Sequence, residues 1–198
     1  EERDRTRARQ SLNDALIAFF QGRFASAEKS ASVAMAREES RAVAAIIAAR
    51  SAHELGRFNE REQFLDQARL TTLADLLLAQ GRHEEALAVL KDLAGRDARN
   101  VRLLRMRLAA ETALKRWDEA LQTTGALAKL GGLPEAEAAA TRRAAHLGNL
   151  NRKAHDAAAL AQYWKHLPGE LRLDPSIAAT AARYLLALGG NGEAQSIV

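Results

Sequence analysis

A glycine followed two places later by an aromatic residue and five places later by a small one marks a tight turn between two helices, and this chain repeats that pattern. Gly22 precedes Phe24 and Ala27, Gly56 precedes Phe58 and Arg61, Gly81 precedes His83 and Ala86, and Gly189 precedes Asn191 and Ala194. Lys115 takes the glycine place ahead of Trp117 and Ala120, and Asn149 takes it ahead of Asn151 and Ala154. The best-formed copy runs from Leu73 to Leu93. Leu73, Leu76, Leu77 and Leu78 make an apolar run that stops at Gln80-Gly81, and Ala86, Leu87, Val89, Leu90 and Leu93 then recur at helical spacing. A glycine just past a helix end turns left-handed without steric penalty. Glu84 and Glu85 fall in the first turn of the next helix, where the macrodipole favours them.

The steps from 22 to 56, from 81 to 115 and from 115 to 149 are each 34 residues, the period of tetratricopeptide (TPR) hairpins. The expected fold is all-α, a TPR-type solenoid of helical hairpins wound as a right-handed superhelix over residues 1–198. Its repeats fall at about 8–41, 42–68, 69–100, 101–134, 135–173 and 174–198. Hydrophobic content of 47% with only 5% aromatic gives a core of Ala and Leu, closely packed and helix-favouring. Two steps break the period. From 56 to 81 is 25, so helices at about 58–68 and 70–80 leave no connector between Ala68 and Arg69. Either this repeat is truncated or about nine residues of loop are absent; the second reading is preferred, because antiparallel helices need a few residues of connection. From 149 to 189 is 40, with the surplus expected around Leu167-Pro168-Gly169-Glu170-Leu171. Helix boundaries are also expected near 37–40, Gly131-Gly132 stops a helix, Pro134 starts one, and Asp174-Pro175 reads as an N-cap with proline after it.

Composition excludes several classes of function. The balance of 29 basic and 25 acidic residues gives +4 and a pI near 9.8, too weak a charge to argue for nucleic acid. There is no cysteine, hence no disulfide frame and no thiolate metal site. No apolar run approaches the roughly 20 residues that span a bilayer. The chain opens on Glu1-Glu2-Arg3-Asp4 and closes on Ile197-Val198 inside an expected helix, so it reads as a fragment. His53-Glu54 begins a zinc-protease motif, but Arg57 stands where the second histidine belongs. Gly189-Gly190-Asn191-Gly192 lacks a P-loop lysine, and no serine sits in a nucleophile elbow. A non-catalytic protein with no cofactor is the expectation.

In a TPR stack the first helix of each pair lines the concave face. The register above places Arg9, Leu12, Leu16, Phe19 and Phe20 there, then Val43, Ile46, Arg50, His53 and Glu54. Thr71, Asp75 and Leu78 follow, then Arg102, Arg105, Ala109 and Thr112, and finally Ala139, Arg143 and His146. Arg50/His53, Arg102/Arg105 and Arg143/His146 each lie three apart, on one helical face. Guanidinium forks match carboxylates, so a groove basic in parts suits an acidic peptide or porphyrin propionates. The alternative is that these arginines are solvated or pair with neighbouring Glu and Asp. His53 and His146 are the candidates for a haem axial ligand. Trp117 is placed in the core, while Tyr163 and Trp164 either staple the long loop or dock a partner.

Three further stretches carry a family resemblance: Arg7-Ala8-Arg9 through Phe20-Gln21-Gly22-Arg23-Phe24 to Ala27-Glu28-Lys29; Val101-Arg102-Leu103-Leu104 with Trp117; and Tyr163-Trp164-Lys165-His166-Leu167-Pro168 with Leu171-Arg172-Leu173-Asp174-Pro175. Together they resemble the HemY proteins of proteobacteria, membrane-anchored TPR proteins associated with late haem biosynthesis. The resemblance implies two membrane helices ahead of Glu1, with the TPR part on the cytoplasmic side of the bacterial inner membrane and more repeats after Val198. It further implies a scaffold for ferrochelatase and the protoporphyrinogen or coproporphyrinogen oxidase that precedes it. Two alternatives remain open: a haem or porphyrin carrier using the basic groove, and an unrelated TPR adaptor of the cell envelope.

Overall fold

The structure, a computed structural model, describes residues 2–35, 41–96 and 98–197. The helix boundary expected near 37–40 lies outside the described residues. Among them the secondary structure is helical throughout: α1 (Glu2–Phe20), α2 (Phe24–Met35), α3 (Arg41–Glu54), α4 (Phe58–Ala79), α5 (His83–Arg96), α6 (Val101–Ala113), α7 (Trp117–Lys129), α8 (Glu135–Lys153), α9 (Ala157–His166), α10 (Gly169–Arg172), α11 (Pro175–Ala187) and α12 (Asn191–Gln195). They fall into two compact units, Glu1–Ala110 and Glu111–Val198, which divide within α6.

In the first unit α1 packs on α2, α2 on α3, α3 on α4 and α4 on α5. Small side chains make these contacts close. Ala15 and Ala18 of α1 meet Ala27, Ala31 and Ala34 of α2 and Ala44, Ala45 and Ala48 of α3 in one buried cluster, with Leu12, Leu16, Phe19 and Phe64 packed over it. A second cluster joins Ala74 of α4, Leu90 and Leu93 of α5, and Leu103 and Met106 of α6. The hairpins close as the sequence predicts. Gly22, Gly56 and Gly81 sit at φ +71, +71 and +72°. At Gly22 the glycine N–H donates to Phe19 O at 3.0 Å and the next N–H donates to Ala18 O at 2.8 Å. This pair of bonds satisfies carbonyls that the helix end would leave orphaned.

One expectation fails in this unit. α4 runs unbroken from Phe58 to Ala79, so Ala68 and Arg69 are neighbours in mid-helix, with no connector between helices 58–68 and 70–80. The boundary drawn between repeats 42–68 and 69–100 therefore cuts through a helix. No glycine or proline lies between Phe58 and Gln80, and Thr71 and Thr72 tuck their hydroxyls onto Gln67 O and Ala68 O. Nothing in that stretch stops a helix. One 22-residue element thus packs against both α3 and α5.

The second unit corrects the register. Asn149 is not a turn residue; it is fully buried in α8, which continues to Lys153. The turn comes at Ala154-His155, and Asp156 caps α9 by accepting from the N–H groups of Ala158 (2.9 Å) and Ala159 (3.1 Å). The turn residues are therefore 115, 155 and 189, and the 34-residue step runs from 155 to 189. The six surplus residues lie in α8, which has 19 residues where α6, α7 and α11 have 13. The Pro168-Gly169 stretch forms the short α10 inside a regular step. Leu150, Leu160, Leu167, Ile177 and Leu185 form the core here, with Tyr163 and Trp164 packed on it. Trp117 lies on Gly148 of α8, where a Cβ would come within 2.1 Å of the indole. Asp118 of α7 binds both Asn149 (2.8 Å) and Arg152 (2.5 Å) of α8, and Tyr184 of α11 donates to Asn151 (3.2 Å).

Two substitutions test this packing. Gly148→Ala forces a methyl into the Trp117 ring and lowers stability by about 1–3 kcal/mol. Lys115 holds φ +57° in the place glycine takes in the other turns, so Lys115→Gly raises stability by about 1 kcal/mol. Urea unfolding followed by circular dichroism reads both.

Candidate functional site

The residues expected to line a groove divide into apolar, ionic and histidine groups. On α1, Leu12, Leu16 and Phe19 are partly covered by their own core, whereas Phe20 is 82% exposed. Phe19 stacks edge-on with both Phe20 (5.9 Å between centroids) and Phe24 (5.6 Å). This aromatic pair fixes Phe20 in its outward position. On α3, which packs against α1, Ala44, Ala45, Ala48 and Ala49 face inward, and Val43, Ile46 and Arg50 face solvent. Ile17 of α1, absent from the expected set, belongs with them as an exposed apolar residue. Helical spacing could have found it, three residues before Phe20. Thr71 does not contribute; it is buried with its hydroxyl on Gln67 O.

The expected arginines are engaged within the chain. Arg50 pairs with Glu54 one turn on at 3.2 Å. Arg102 of α6 pairs with Asp75 of α4, 27 residues earlier. Arg143 donates from Nε to Asp174 at 2.7 Å, the same carboxylate that caps α11. Arg9 is exposed and Arg105 is half-buried. A carboxylate ligand at Arg50, Arg102 or Arg143 must therefore displace one the protein already supplies. Pairing with neighbouring acids, the alternative to a free basic groove, is the arrangement found at these three positions. The sequence could show the Arg50/Glu54 spacing; it could not show partners 27 and 31 residues away.

The histidines are also held. Arg61, which can only donate, approaches His53 Nδ1 at 3.1 Å, and Phe58 lies 5.6 Å from the ring. His146 is half-buried in mid-α8, with Nδ1 2.8 Å from the Tyr163 hydroxyl of α9. Each ring would offer iron only its Nε2. Among the described residues no group of three or more His, Asp or Glu is gathered as a metal site. Burial holds the His146 pKa below the usual histidine value, Arg142 pushes the same way, and Asp118 opposes them. A base with a depressed folded pKa contributes stability above its unfolded value, near 6.5, and loses it as pH falls through the folded one. Between pH 7 and 5 the urea midpoint of the native chain should therefore fall further than that of His146→Gln.

No helix of the described residues is long and apolar enough to cross a membrane. No curated protein and no solved structure matches the chain. Residues 1–56, which comprise α1, α2 and α3 up to the Gly56 turn, match the family model described as HemY protein N-terminus. That match, in the segment that carries Phe20, Ile46 and Arg50, supports the chain's membership of the HemY family.

Proposed function

We propose that this protein is a non-catalytic TPR-type scaffold that holds late haem-pathway enzymes together at the bacterial inner membrane. Ferrochelatase and the protoporphyrinogen or coproporphyrinogen oxidase before it are the partners, and the domain lies on the cytoplasmic side behind an anchor that precedes Glu1. One observation carries this reading: within the segment matched to the HemY N-terminus, Ile17, Phe20, Val43 and Ile46 expose large apolar side chains on two helices that pack on each other. An exposed apolar surface of this kind is suited to a protein partner. Tethering two enzymes on one scaffold raises their local concentration, and an unstable porphyrin then passes between them over a short distance. Porphyrin capture by the groove itself is the weaker reading, because Arg50, Arg102 and Arg143 already hold carboxylates.

Surface plasmon resonance with the immobilised chain tests the scaffold reading. Purified ferrochelatase should bind, and the double variant Phe20→Asp/Ile46→Asp should bind at least tenfold more weakly, a loss of about 1.4 kcal/mol or more. Both positions are exposed, so the variant keeps its helical circular dichroism. Unchanged affinity in the variant would remove the face from the reading. Binding of haemin with a shifted Soret band, and of neither enzyme, would favour the carrier instead.

A further inference from the structure

α4 carries an apolar seam on the side turned away from its own core. Thr71, Ala74 and Leu77 are buried, and Phe64, Ala68, Leu70 and Leu78 pack on the clusters of the first unit. Roughly opposite lie Phe58, Glu62, Leu65, Arg69, Thr72 and Leu76, separated alternately by four and three residues along the whole helix, with Leu73 beside Thr72. That spacing is the one by which two helices pack along a shared seam, here apolar at Phe58, Leu65 and Leu76 and polar at the places between. Phe58, Leu65, Leu73 and Leu76, with Leu55 just before the helix, are 53, 42, 39, 54 and 36% exposed. Solvent-facing leucines at this density along one helix ask for a cover.

The charges on the seam say which cover fits. Glu62 and Arg69 are seven residues apart and flank Leu65 on either side. In an antiparallel pair of α4 helices with a two-fold axis between Leu65 and Asp66, each Glu62 meets the other copy's Arg69. Phe58 then meets Leu73, Leu55 meets Leu76, and the two Leu65 side chains flank the axis. A parallel pair would set Glu62 against Glu62 and Arg69 against Arg69, which like charges oppose. The present partners of these charges lie on the same helix: Arg61, two-thirds covered, donates twice to Glu62, and Asp66 accepts from Arg69. Glu62 and Arg69 themselves are 63 and 70% exposed, so both remain within reach of a second copy. A self-complementary patch is the requirement of an isologous two-fold interface.

We propose that the protein forms a homodimer through α4, antiparallel about the Leu65-Asp66 step, with Glu62 and Arg69 setting the orientation. This surface is distinct from the α1 and α3 face assigned to enzyme partners, so a dimer presents that face twice. A contact of one helix pair, about 33 Å long at 1.5 Å per residue, gives an affinity in the micromolar range.

Sedimentation velocity over a concentration series up to about 0.1 mM should show the native chain passing from monomer to dimer. Glu62→Arg alone and Arg69→Glu alone should each weaken the dimer at least tenfold. An equimolar mixture of the two should recover it, because every cross-pair again joins opposite charges. The chain has no cysteine, so Leu65→Cys should give a disulfide-linked dimer on mild oxidation, while Leu130→Cys, equally exposed, should stay monomeric. A chain monomeric throughout the series, or a mixture no better than the single variants, would overturn the proposal.

Discussion

Close approach of helices through alanine is the constraint on which the rest of this structure depends. Ala15, Ala18, Ala27, Ala31, Ala34, Ala44, Ala45 and Ala48 are buried at helix contacts in one cluster. A single methyl lets neighbouring helix surfaces meet where a leucine would hold them apart. Such short-range contact requires that each hairpin close in two or three residues. The left-handed residue at Gly22, Gly56 and Gly81 does this while satisfying the last carbonyls of the helix before it. In the second unit Gly131 and Gly189 are left-handed in the same way, and Gly148 in mid-α8 has no side chain to keep Trp117 of α7 away. In that first cluster the large buried side chains are Met35 and Ile47, while Phe20 and Ile46 on the same helices stand outside it, exposed.

Four arginines act as struts between these helices. Arg57 reaches Glu28 of α2, Arg102 reaches Asp75, Arg143 reaches Asp174, and Arg152 reaches Asp118. Each bond joins residues 27 to 34 apart in sequence, so it ties successive helical hairpins. Exposed pairs of this sort contribute modestly to stability, but they compensate the guanidinium charge where it stands. The net charge of +4 does not translate into a free basic groove at these positions. What remains distinctive on α1 and α3 is apolar, in the segment that also carries the match to the HemY N-terminus.

The two departures from a regular stride have opposite characters. α4 fuses what two helices would otherwise do, and so presents a long exposed seam with no turn to interrupt it. α8 is six residues longer than its counterparts and buries Asn149 where a turn was expected, with Asp118 holding that amide. Both are helix continuations through places where a repeat would break: α4 holds no glycine or proline, and α8 runs on through Gly148, against which Trp117 packs while Asp118 holds Asn149. A fold of stacked hairpins tolerates such changes locally, since each helix answers mainly to its immediate neighbours.

The residues themselves determined the helical class, the hairpin turns at Gly22, Gly56 and Gly81 and the capping by Asp174, whereas Trp117, expected in the core, is half-buried against Gly148. Local chemistry suffices for these: helical periodicity, a left-handed glycine and an N-cap depend on residues within a few places of one another. Tertiary structure alone decided the rest. Asn149 and Lys115 look equally like turn substitutes in sequence, yet only Lys115 turns, because Asp118 and the packing around Leu150 keep the other inside a helix. Arg102 and Arg143 read as free cations until Asp75 and Asp174, far along the chain, are brought against them. Which side of α4 meets the core was likewise undecided by a pattern that allows leucine on several faces. Packing settled it by burying the face that fits α3 and α5, and the leucines left over point to solvent.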